Sequence, residues 1–267
     1  MPEARTYEPR RFQSTVPFYE RFRLGYPDRL IRHVIGFTGL SPRDAVLDLG
    51  TGPGLLAIPF AAAGLQVTAA DPEPDMLNAA AEAARAAGVT LRLWQGGSYE
   101  LSDTMGPFRL VTMGRAFHWM DRAATLQLLD RIILPRGAIA LFHDSHPETA
   151  ENHWTTVVSE VSDRYGRANE SHVAERHSRG YRTHASMLLA SAFSVIDGIS
   201  VTIRKSLSTD DIVGRAFSMS TCSREKLGAR AAAYETDLRA ALATLSPNGE
   251  FSEIAQLEAI VATRPLA

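Results

Sequence analysis

Residues 46–54 read VLDLGTGPG, an apolar run that carries one acid, Asp48, and ends in three glycines spaced two apart. A glycine turn after a strand usually brings the backbone close to a ligand, because a residue without a Cβ leaves room and tolerates positive φ. The dinucleotide fingerprint would need a third glycine at Leu55, and a phosphate-binding loop would need a lysine after Gly54. A carboxylate repels a phosphate but attracts an ammonium or a sulfonium. The stretch therefore predicts a ligand that is positively charged at this turn.

The composition is that of a soluble globular protein: 267 residues, 45% hydrophobic and 22% charged, with a net charge of −2. The basic residues are scattered, so no patch for nucleic acid or an anionic membrane is expected. The single Cys222 argues against disulfides and a structural zinc site. The first residues lack the apolar core of a signal peptide. We therefore expect a cytoplasmic protein that acts on a small molecule without nucleic-acid or membrane partners; a homodimer is compatible with the sequence.

Short apolar runs alternate with helical stretches over residues 46–143, which is typical of a parallel sheet built from βαβ units. Strands are expected near 45–49, 66–70, 90–94, 108–113 and 137–142. Helices are expected over 55–63 and 75–87, and two more within 14–40. After His143 the pattern changes: residues 166–182 are polar and predict a loop, a strand follows around 199–203, a long helix runs from Leu227 to Leu245, and a last strand covers 251–263.

Four motifs together resemble a known family. VLDLGTGPG, followed by Asp71 in AADPEPDML, is similar to the first two motifs of class I S-adenosylmethionine-dependent methyltransferases. RLVTMGRAFHWMDR and YERFRLGYP resemble the branch of menaquinone-type and trans-aconitate-type enzymes, which methylates small metabolites. The match runs from about residue 12 to 143, and more loosely through the ATRP ending. It implies S-adenosyl-L-methionine as cofactor and S-adenosyl-L-homocysteine as product.

The resemblance also implies the fold class: α/β, with a Rossmann-like, doubly wound, seven-stranded and mostly parallel sheet. We predict an N-terminal helical cover at residues 1–40, a cofactor-binding α/β core at 41–145, and a helical cap or lid at 146–192, inserted after the fifth strand. Residues 193–267 are expected to complete the core sheet with its helices.

Three side chains carry the main cofactor predictions that the resemblance implies. Asp48 orients the amino group of the methionine half, Asp71 accepts both ribose hydroxyls, and Arg23 pairs with the methionine carboxylate. The alternatives are a capping acid for Asp48, a helix N-cap for Asp71 and a surface arginine for Arg23. The remaining predicted cofactor contacts are Tyr19, Gly50, Thr51, Gly52, Gly54, Pro72, Met76, Gly97, Ser98, Gly114 and Arg115. Residues 95–99 lack the acid that the family often has after its third strand.

The catalytic candidates follow the fourth and fifth strands, whose carboxyl ends should share one edge of the sheet. His118 is the first candidate for a general base, with fixing of the loop as the alternative, and His143 is the second. Tyr26, Trp119 and His146 are predicted to contact the substrate. A metal bound by His143, Asp144 and His146 is not adopted, because no fourth ligand converges with them.

We predict methyl transfer to an oxygen, nitrogen or carbon nucleophile of a small metabolite, with secondary metabolism as one setting. The motif Gly114-Arg115-Ala116-Phe117-His118 contains neither the [DN]-P-P-[YFW] of exocyclic-amine methyltransferases nor the Pro-Cys of cytosine-carbon ones. The alternatives are a protein of the same fold with non-methylating, pericyclase-like chemistry, or one without turnover. A nicotinamide-dependent oxidoreductase conflicts with Asp48 and Leu55.

Overall fold

A single seven-stranded sheet forms the centre of the computed structural model, which describes residues 18, 21–167 and 180–265. The strand order is β3-β2-β1-β4-β5-β7-β6, and β7 alone runs antiparallel to its neighbours. This arrangement confirms the predicted fold class. The strands are β1 (Ala45–Leu49), β2 (Gln66–Asp71), β3 (Arg92–Gln95), β4 (Phe108–Gly114), β5 (Ile133–Ser145), β6 (Val195–Ser208) and β7 (Glu250–Thr263).

The helices Ala57–Ala62 and Pro74–Ala86 lie close to the predicted 55–63 and 75–87, whereas the helix Arg122–Ile132 was not predicted. The helix Thr209–Phe217 was not expected, although Ser208 and Asp211 form a capping box at its start. The helix predicted from Leu227 to Leu245 is interrupted by a 3₁₀ turn at Gly228–Arg230. The helices are α1 (Asp28–Thr38), α2 (Ala57–Ala62), α3 (Pro74–Ala86), α4 (Arg122–Ile132), α5 (His153–Arg164), α6 (His184–Leu189), α7 (Thr209–Phe217), α8 (Arg224–Leu227) and α9 (Ala231–Leu245).

The two faces of the sheet are buried under different helices, because successive side chains of a strand point to opposite sides. The first face, with Val46, Leu110 and Phe142, packs against α1 and α2. The second face, with Val111 and Leu141, packs against α4 and α6. The carboxyl ends of β1, β4 and β5 meet at one edge, and the first residues of β7 reach the same edge because β7 is antiparallel.

A third apolar cluster lies beyond β5 at that carboxyl edge. It is built by α5, α7, α8 and α9 around Tyr234, which is fully buried. The predicted cap at 146–192 is therefore divided: α5 belongs to this cluster, whereas Met187 and Leu188 of α6 pack on the second face of the sheet. Residues 168–179 of the predicted loop lie outside the described residues. The domain boundaries stay a prediction.

Within the described ranges, no helix is both long enough and apolar enough to cross a membrane.

Candidate cofactor and acceptor site

The glycine turn after β1 has the conformation that its sequence predicts. Gly50, Gly52 and Gly54 have φ of 74°, 54° and 89°, in the left-handed region that side chains rarely adopt. A Cβ on Gly50 would lie 2.5 Å from the Cβ of Ala116, and one on Gly54 would lie 3.0 Å from Ile58 Cδ1. Both conformation and space therefore require glycine at the head of this turn.

Asp48 lies under the turn and is 1% exposed. Its carboxylate accepts hydrogen bonds from Thr51 Oγ1 at 2.6 Å and from Thr112 Oγ1 at 2.7 Å. Thr112 lies directly opposite Asp48 in β4, so the pairing register of two parallel strands brings this hydroxyl to the acid. Burial raises the pKa of Asp48 to about 6, although the hydrogen bonds from Thr51 and Thr112 oppose the rise. The ionised form would thus be stabilised by a cation above it.

Asp71 holds the turn from the other side. Its Oδ2 accepts from the amide of Gly52 at 2.8 Å, and its Oδ1 accepts from the amide of Glu73 at 3.0 Å. Burial raises its pKa to about 6, against the effect of these two hydrogen bonds. A carboxylate has about four lone-pair sites, so acceptor capacity for a ligand remains. Asp71 thus fixes the backbone before α3, although the N-cap of that helix is Glu73, and it retains the acceptor capacity that ribose binding needs.

The segment after β3 contains an acid, Glu100, that the sequence analysis did not identify. Ser98 is buried in a 3₁₀ turn, and Glu100 Oε2 accepts from the amide of Gly97 at 2.7 Å. The amide of Gly96 donates to the carbonyl of Asp71 at 3.1 Å. The predicted adenine contacts at Gly97 and Ser98 are therefore held next to the end of β2.

Arg115 connects the end of β4 to the N-terminal segment. It has a φ of 55°, unusual for a residue with a side chain. Its Nη2 donates to the carbonyl of Leu24 at 2.8 Å, its Nε forms a short ion pair with Asp144, and its guanidinium lies 4.8 Å from the Tyr26 ring centroid. Burial by itself would raise the pKa of Asp144, but Arg115 lowers it below its ordinary value. The charge of Arg115 is therefore neutralised within the protein, by Asp144.

A small cavity lies between the glycine turn and these residues. It is lined by Tyr26, Asp48, Gly50, Thr51, Gly114 and Arg115, among others, and all six were predicted to contact cofactor or substrate. Its volume of about 10 Å³ holds about one water molecule. Tyr26, which belongs to the segment before α1, lines this cavity opposite the glycine turn.

Two predicted site residues make contacts on the side of the third cluster. The Nη2 of Arg23 donates to the carbonyl of Ser218 at 3.3 Å. His146 Nε2 lies 2.7 Å from Oε1 of Glu253, a carboxylate with no exposed surface that also pairs with Arg215. Tyr19 lies outside the described residues. The structure thus brings His146 to a buried acid rather than into the small cavity.

The 3₁₀ turn Phe117–Trp119 carries the first candidate base. The ring of His118 packs on Trp119 with centroids 4.8 Å apart and lies 6.4 Å from the ring of His184 in α6. Arg122 Nη1 lies 3.4 Å from Nδ1 of His184. His118 and Trp119 therefore share an aromatic cluster at the second face of the sheet, next to the end of β4.

His143, Asp144 and His146 do not form one polar group, contrary to the sequence-based expectation. β5 continues to Ser145 instead of ending at residue 142, so His143 and Asp144 point to opposite faces. Asp144 meets Arg115 on the first face, while His143 Nε2 lies 2.9 Å from Glu258 Oε2 on the second. This separation also removes the ligand set considered for a metal.

Several site residues escaped the sequence analysis. Thr112 is a polar residue inside a buried strand, and that irregularity was visible in RLVTMG. Glu253 and Glu258 stand in the alternating last strand, where a polar residue is expected on an exposed face. Nothing in the sequence near them indicates partners more than a hundred residues away.

Known proteins share part of this sequence. Residues 46–137 match a family model described as "Methyltransferase domain". An uncharacterized methyltransferase of Mycobacterium tuberculosis is 30% identical over 155 residues, which cover 58% of this chain and 60% of the relative. The ubiquinone biosynthesis O-methyltransferase of Azorhizobium caulinodans is 30% identical over 140 residues, covering 50% and 55%. The chain thus spans less than two thirds of the length of these relatives.

The fold has solved counterparts. A SAM-dependent methyltransferase from Thiobacillus denitrificans, crystallised with S-adenosyl-L-homocysteine, superposes with a TM-score of 0.55 at 17% identity, covering 97% of this chain and all of that one. Residues 46–137 thus match a methyltransferase domain, and the chain shares its fold with a solved SAM-dependent methyltransferase. The menaquinone-type or trans-aconitate-type branch stays a prediction.

Proposed function

We propose that this chain is a class I methyltransferase that transfers the methyl group of S-adenosyl-L-methionine to an oxygen, nitrogen or carbon atom of a small metabolite. One observation carries the proposal: a glycine turn in left-handed conformation is held between two buried carboxylates, Asp48 and Asp71. A dinucleotide or phosphate at this turn would meet two negative charges, whereas a ligand with an ammonium and a sulfonium is attracted.

The residues present fit this cofactor. Asp71 would accept the ribose hydroxyls with the lone pairs that Gly52 and Glu73 leave, and Asp48 would attract the methionine ammonium directly or through a water. Gly97 and Ser98 would line the adenine, and the glycine turn would let the backbone approach the ligand. Arg23, Tyr19, Thr51, Pro72 and Met76 remain proposed contacts.

The bound cofactor supplies a methyl group on a positively charged sulfur, so the chain itself has three tasks. It must align the acceptor with the methyl carbon, exclude water and take up one proton. Tyr26 and Arg115, which close the edge above Gly114, would serve the first two tasks. His118 and His143 are the candidates for the third, since His118 follows β4 and His143 lies near the end of β5, at this edge. Trp119 and His146 stay proposed substrate contacts.

Mass spectrometry tests this proposal. The purified chain is incubated with methyl-labelled S-adenosyl-L-methionine and the small-molecule fraction of a cell extract. We expect one or a few labelled metabolites and a matching amount of S-adenosyl-L-homocysteine. Asp71→Asn should remove the label, whereas Gly36→Ala, placed on α1 where a Cβ meets nothing within 4 Å, should retain it. Cofactor binding without any labelled product would contradict methyl transfer.

A further inference from the structure

The two edges of the sheet differ greatly in length. At one edge β3 has 4 residues, whereas β6 at the other edge has 14. β6 pairs with β7 over its whole length without a bulge, and it contains no proline. Within the described ranges, the backbone of residues 195–207 forms hydrogen bonds only with β7. About half of its N–H and C=O groups therefore point outward along the edge, where a further strand can pair with them.

A second copy of β6 can pair with this edge antiparallel about a two-fold axis perpendicular to the sheet. Such an axis keeps each face of the sheet on the same side in both copies. Residues that lie opposite each other must therefore belong to the same face. Because successive residues of a strand point to opposite faces, odd-numbered residues pair only with odd-numbered ones, and even with even.

The register centred on Val201 matches the odd-numbered residues of β6. Val201 then lies opposite Val201 of the second copy, and Ile199 lies opposite Ile203. Asp197 lies opposite Lys205, once on each side of the axis. The three apolar residues are half-buried against the first face of the sheet, whereas Asp197 and Lys205 are exposed. Cross-strand pairs of apolar residues and of opposite charges both stabilise a sheet.

The even-numbered residues raise no conflict in the same register. Arg204 lies opposite Gly198, where even an added Cβ would meet nothing within 4 Å. Ser200 lies opposite Thr202, and both are exposed. No two like charges face each other on this side of the pairing.

Neighbouring registers lose the match. Moving the centre by one residue towards the start of β6 places Asp197 opposite Ile203, and moving it towards the end places Lys205 opposite Ile199. Charges on an edge strand commonly prevent pairing with other chains. Here two opposite charges at equal distances from Val201 permit one pairing and disfavour its neighbours.

We propose that β6 is the interface of a homodimer, in which two sheets of seven strands join into one through antiparallel pairing centred on Val201. The pairing adds about one backbone hydrogen bond per paired residue. Because the axis reverses the strand direction, the carboxyl edges of the two sheets point in opposite directions. Each glycine turn then lies at its own end of the combined sheet, and the dimer does not depend on the proposed methyl transfer.

Analytical ultracentrifugation of the full chain tests the interface. The wild-type protein should have twice the monomer mass and should dissociate on dilution over a roughly hundredfold range of concentration. Asp197→Lys places two lysines opposite each other on each side of the axis, so the dimer Kd should rise at least about tenfold. Glu82→Lys, which makes the same change of charge on an exposed position of α3, is the matched control and should remain dimeric.

The register is tested by rescue and by cross-linking. Combining Asp197→Lys with Lys205→Asp exchanges the two charges and should restore the dimer. Because Lys205 lies opposite Glu253 in β7, circular dichroism must first show that this double variant is folded.

Cross-linking leaves both charges in place. Under mild oxidation Val201→Cys should give a disulfide-linked dimer on a non-reducing gel, because the axis passes beside this residue. Ile203→Cys should not, since its two copies would lie about 14 Å apart, beyond the limit of about 7 Å for a disulfide. The native Cys222 is 1% exposed, so it should not form such a link in either variant.

Three outcomes would overturn the proposal. A wild-type protein that is monomeric at every concentration has no such interface. A dimer that Asp197→Lys does not weaken uses another surface. Cross-linking of Ile203→Cys without cross-linking of Val201→Cys would show that the strands do not pair about Val201.

Discussion

Asp71 combines two roles in one side chain, and this combination decides what its replacement should do. The carboxylate holds Gly52 in the glycine turn and is also the proposed acceptor for the ribose hydroxyls. We predict that Asp71→Ala weakens binding of S-adenosyl-L-methionine, since each hydrogen bond to a charged acceptor contributes about 1.5–3 kcal/mol. Isothermal calorimetry measures the loss, and circular dichroism checks the fold. An unchanged Kd would remove Asp71 from the cofactor site.

The two buried carboxylates should also make cofactor binding sensitive to acid. Burial raises the pKa of both Asp48 and Asp71 to about 6, so both lose charge as the pH falls through that value. A cationic ligand prefers their ionised forms. We therefore predict that Kd weakens by at least about tenfold between about pH 7.5 and about pH 5, and that binding near pH 6 releases protons. Calorimetry in buffers of different ionisation enthalpy measures both effects.

The same measurement on Asp71→Asn gives the control, because a neutral amide cannot contribute to proton release. The variant should bind more weakly but with a shallower dependence on pH. A constant Kd for the wild-type protein over this range would mean that neither carboxylate responds to the charge of the ligand.

The residues of the glycine turn could be predicted because neighbouring residues in the sequence specify the conformation of the turn. Three glycines and one acid within nine residues specify a conformation that few other residues can adopt. The partners of these residues were not predictable in the same way. Thr112 reaches Asp48 through strand pairing, and Arg115 reaches Asp144 and Leu24 through contacts between segments far apart in sequence. Such pairs depend on the register of the sheet, which a single sequence does not specify.

At the level of elements, the segment before α1 packs against α7 and hydrogen-bonds to it. The ring of Phe22 packs against Gly214, where a Cβ would lie 2.4 Å from Cδ2 of the ring. Arg215 Nε donates to the carbonyl of Phe22 at 3.3 Å, and Arg23 donates to the carbonyl of Ser218. A few residues further, Leu24 and Tyr26 contact Arg115 beside the small cavity. α7 therefore positions the segment that lies over the proposed cofactor site.

We predict that Gly214→Ala loosens this segment, because the added methyl group must displace the Phe22 ring. Limited trypsin digestion should cut faster after Arg21 and Arg23, and cofactor affinity should fall by roughly tenfold as the ordered cover is lost. Gly36→Ala is the matched control, since it adds the same methyl group to a helix where nothing lies within 4 Å. Equal digestion rates and equal affinities in the two variants would show that α7 does not position the segment.

The extent of β5 explains why His143, Asp144 and His146 do not lie together as one polar group. The apolar run of β5 ends at Phe142, and its sequence alone gives no reason to continue the strand through His143, Asp144 and Ser145. The antiparallel partner β7 extends it, by pairing these residues with Glu258, Leu257 and Gln256. In the three added strand residues, neighbouring side chains point to opposite faces of the sheet. His143 and Asp144 therefore lie apart instead of in one polar cluster.

Across the whole molecule, Glu253 joins elements that are distant in sequence. This carboxylate of β7 has no exposed surface and accepts hydrogen bonds from both His146, after β5, and Arg215, in α7. The guanidinium of Arg215 also lies 5.5 Å from the ring centroid of Trp154 in α5. The cluster thus links the sheet to the helices at its carboxyl edge, and the order of those helices should depend on one buried charge.

We predict that Glu253→Gln lowers the free energy of unfolding near neutral pH by about 3 kcal/mol, because it leaves the Arg215 charge buried without its counter-ion. Although burial by itself would raise the pKa of Glu253, His146 and Arg215 lower it to about 2, well below its ordinary value of 4.5. The stabilisation is therefore complete above the pKa of the unfolded chain, and it decreases as the pH falls from about 4.5 through about 2. The difference between wild type and variant should shrink over that interval.

Urea unfolding followed by tryptophan fluorescence at about pH 7, about pH 4.5 and about pH 3 measures this convergence. Asp48 and Asp71 act with the opposite sign. Their pKa values are raised, so the folded protein without ligand binds more protons than the unfolded chain and gains stability as the pH falls from about 6 to about 4. Comparing the wild type with Glu253→Gln at each pH cancels that common contribution. A constant difference between the two proteins from about pH 7 to about pH 3 would show that Glu253 does not stabilise the fold through its charge.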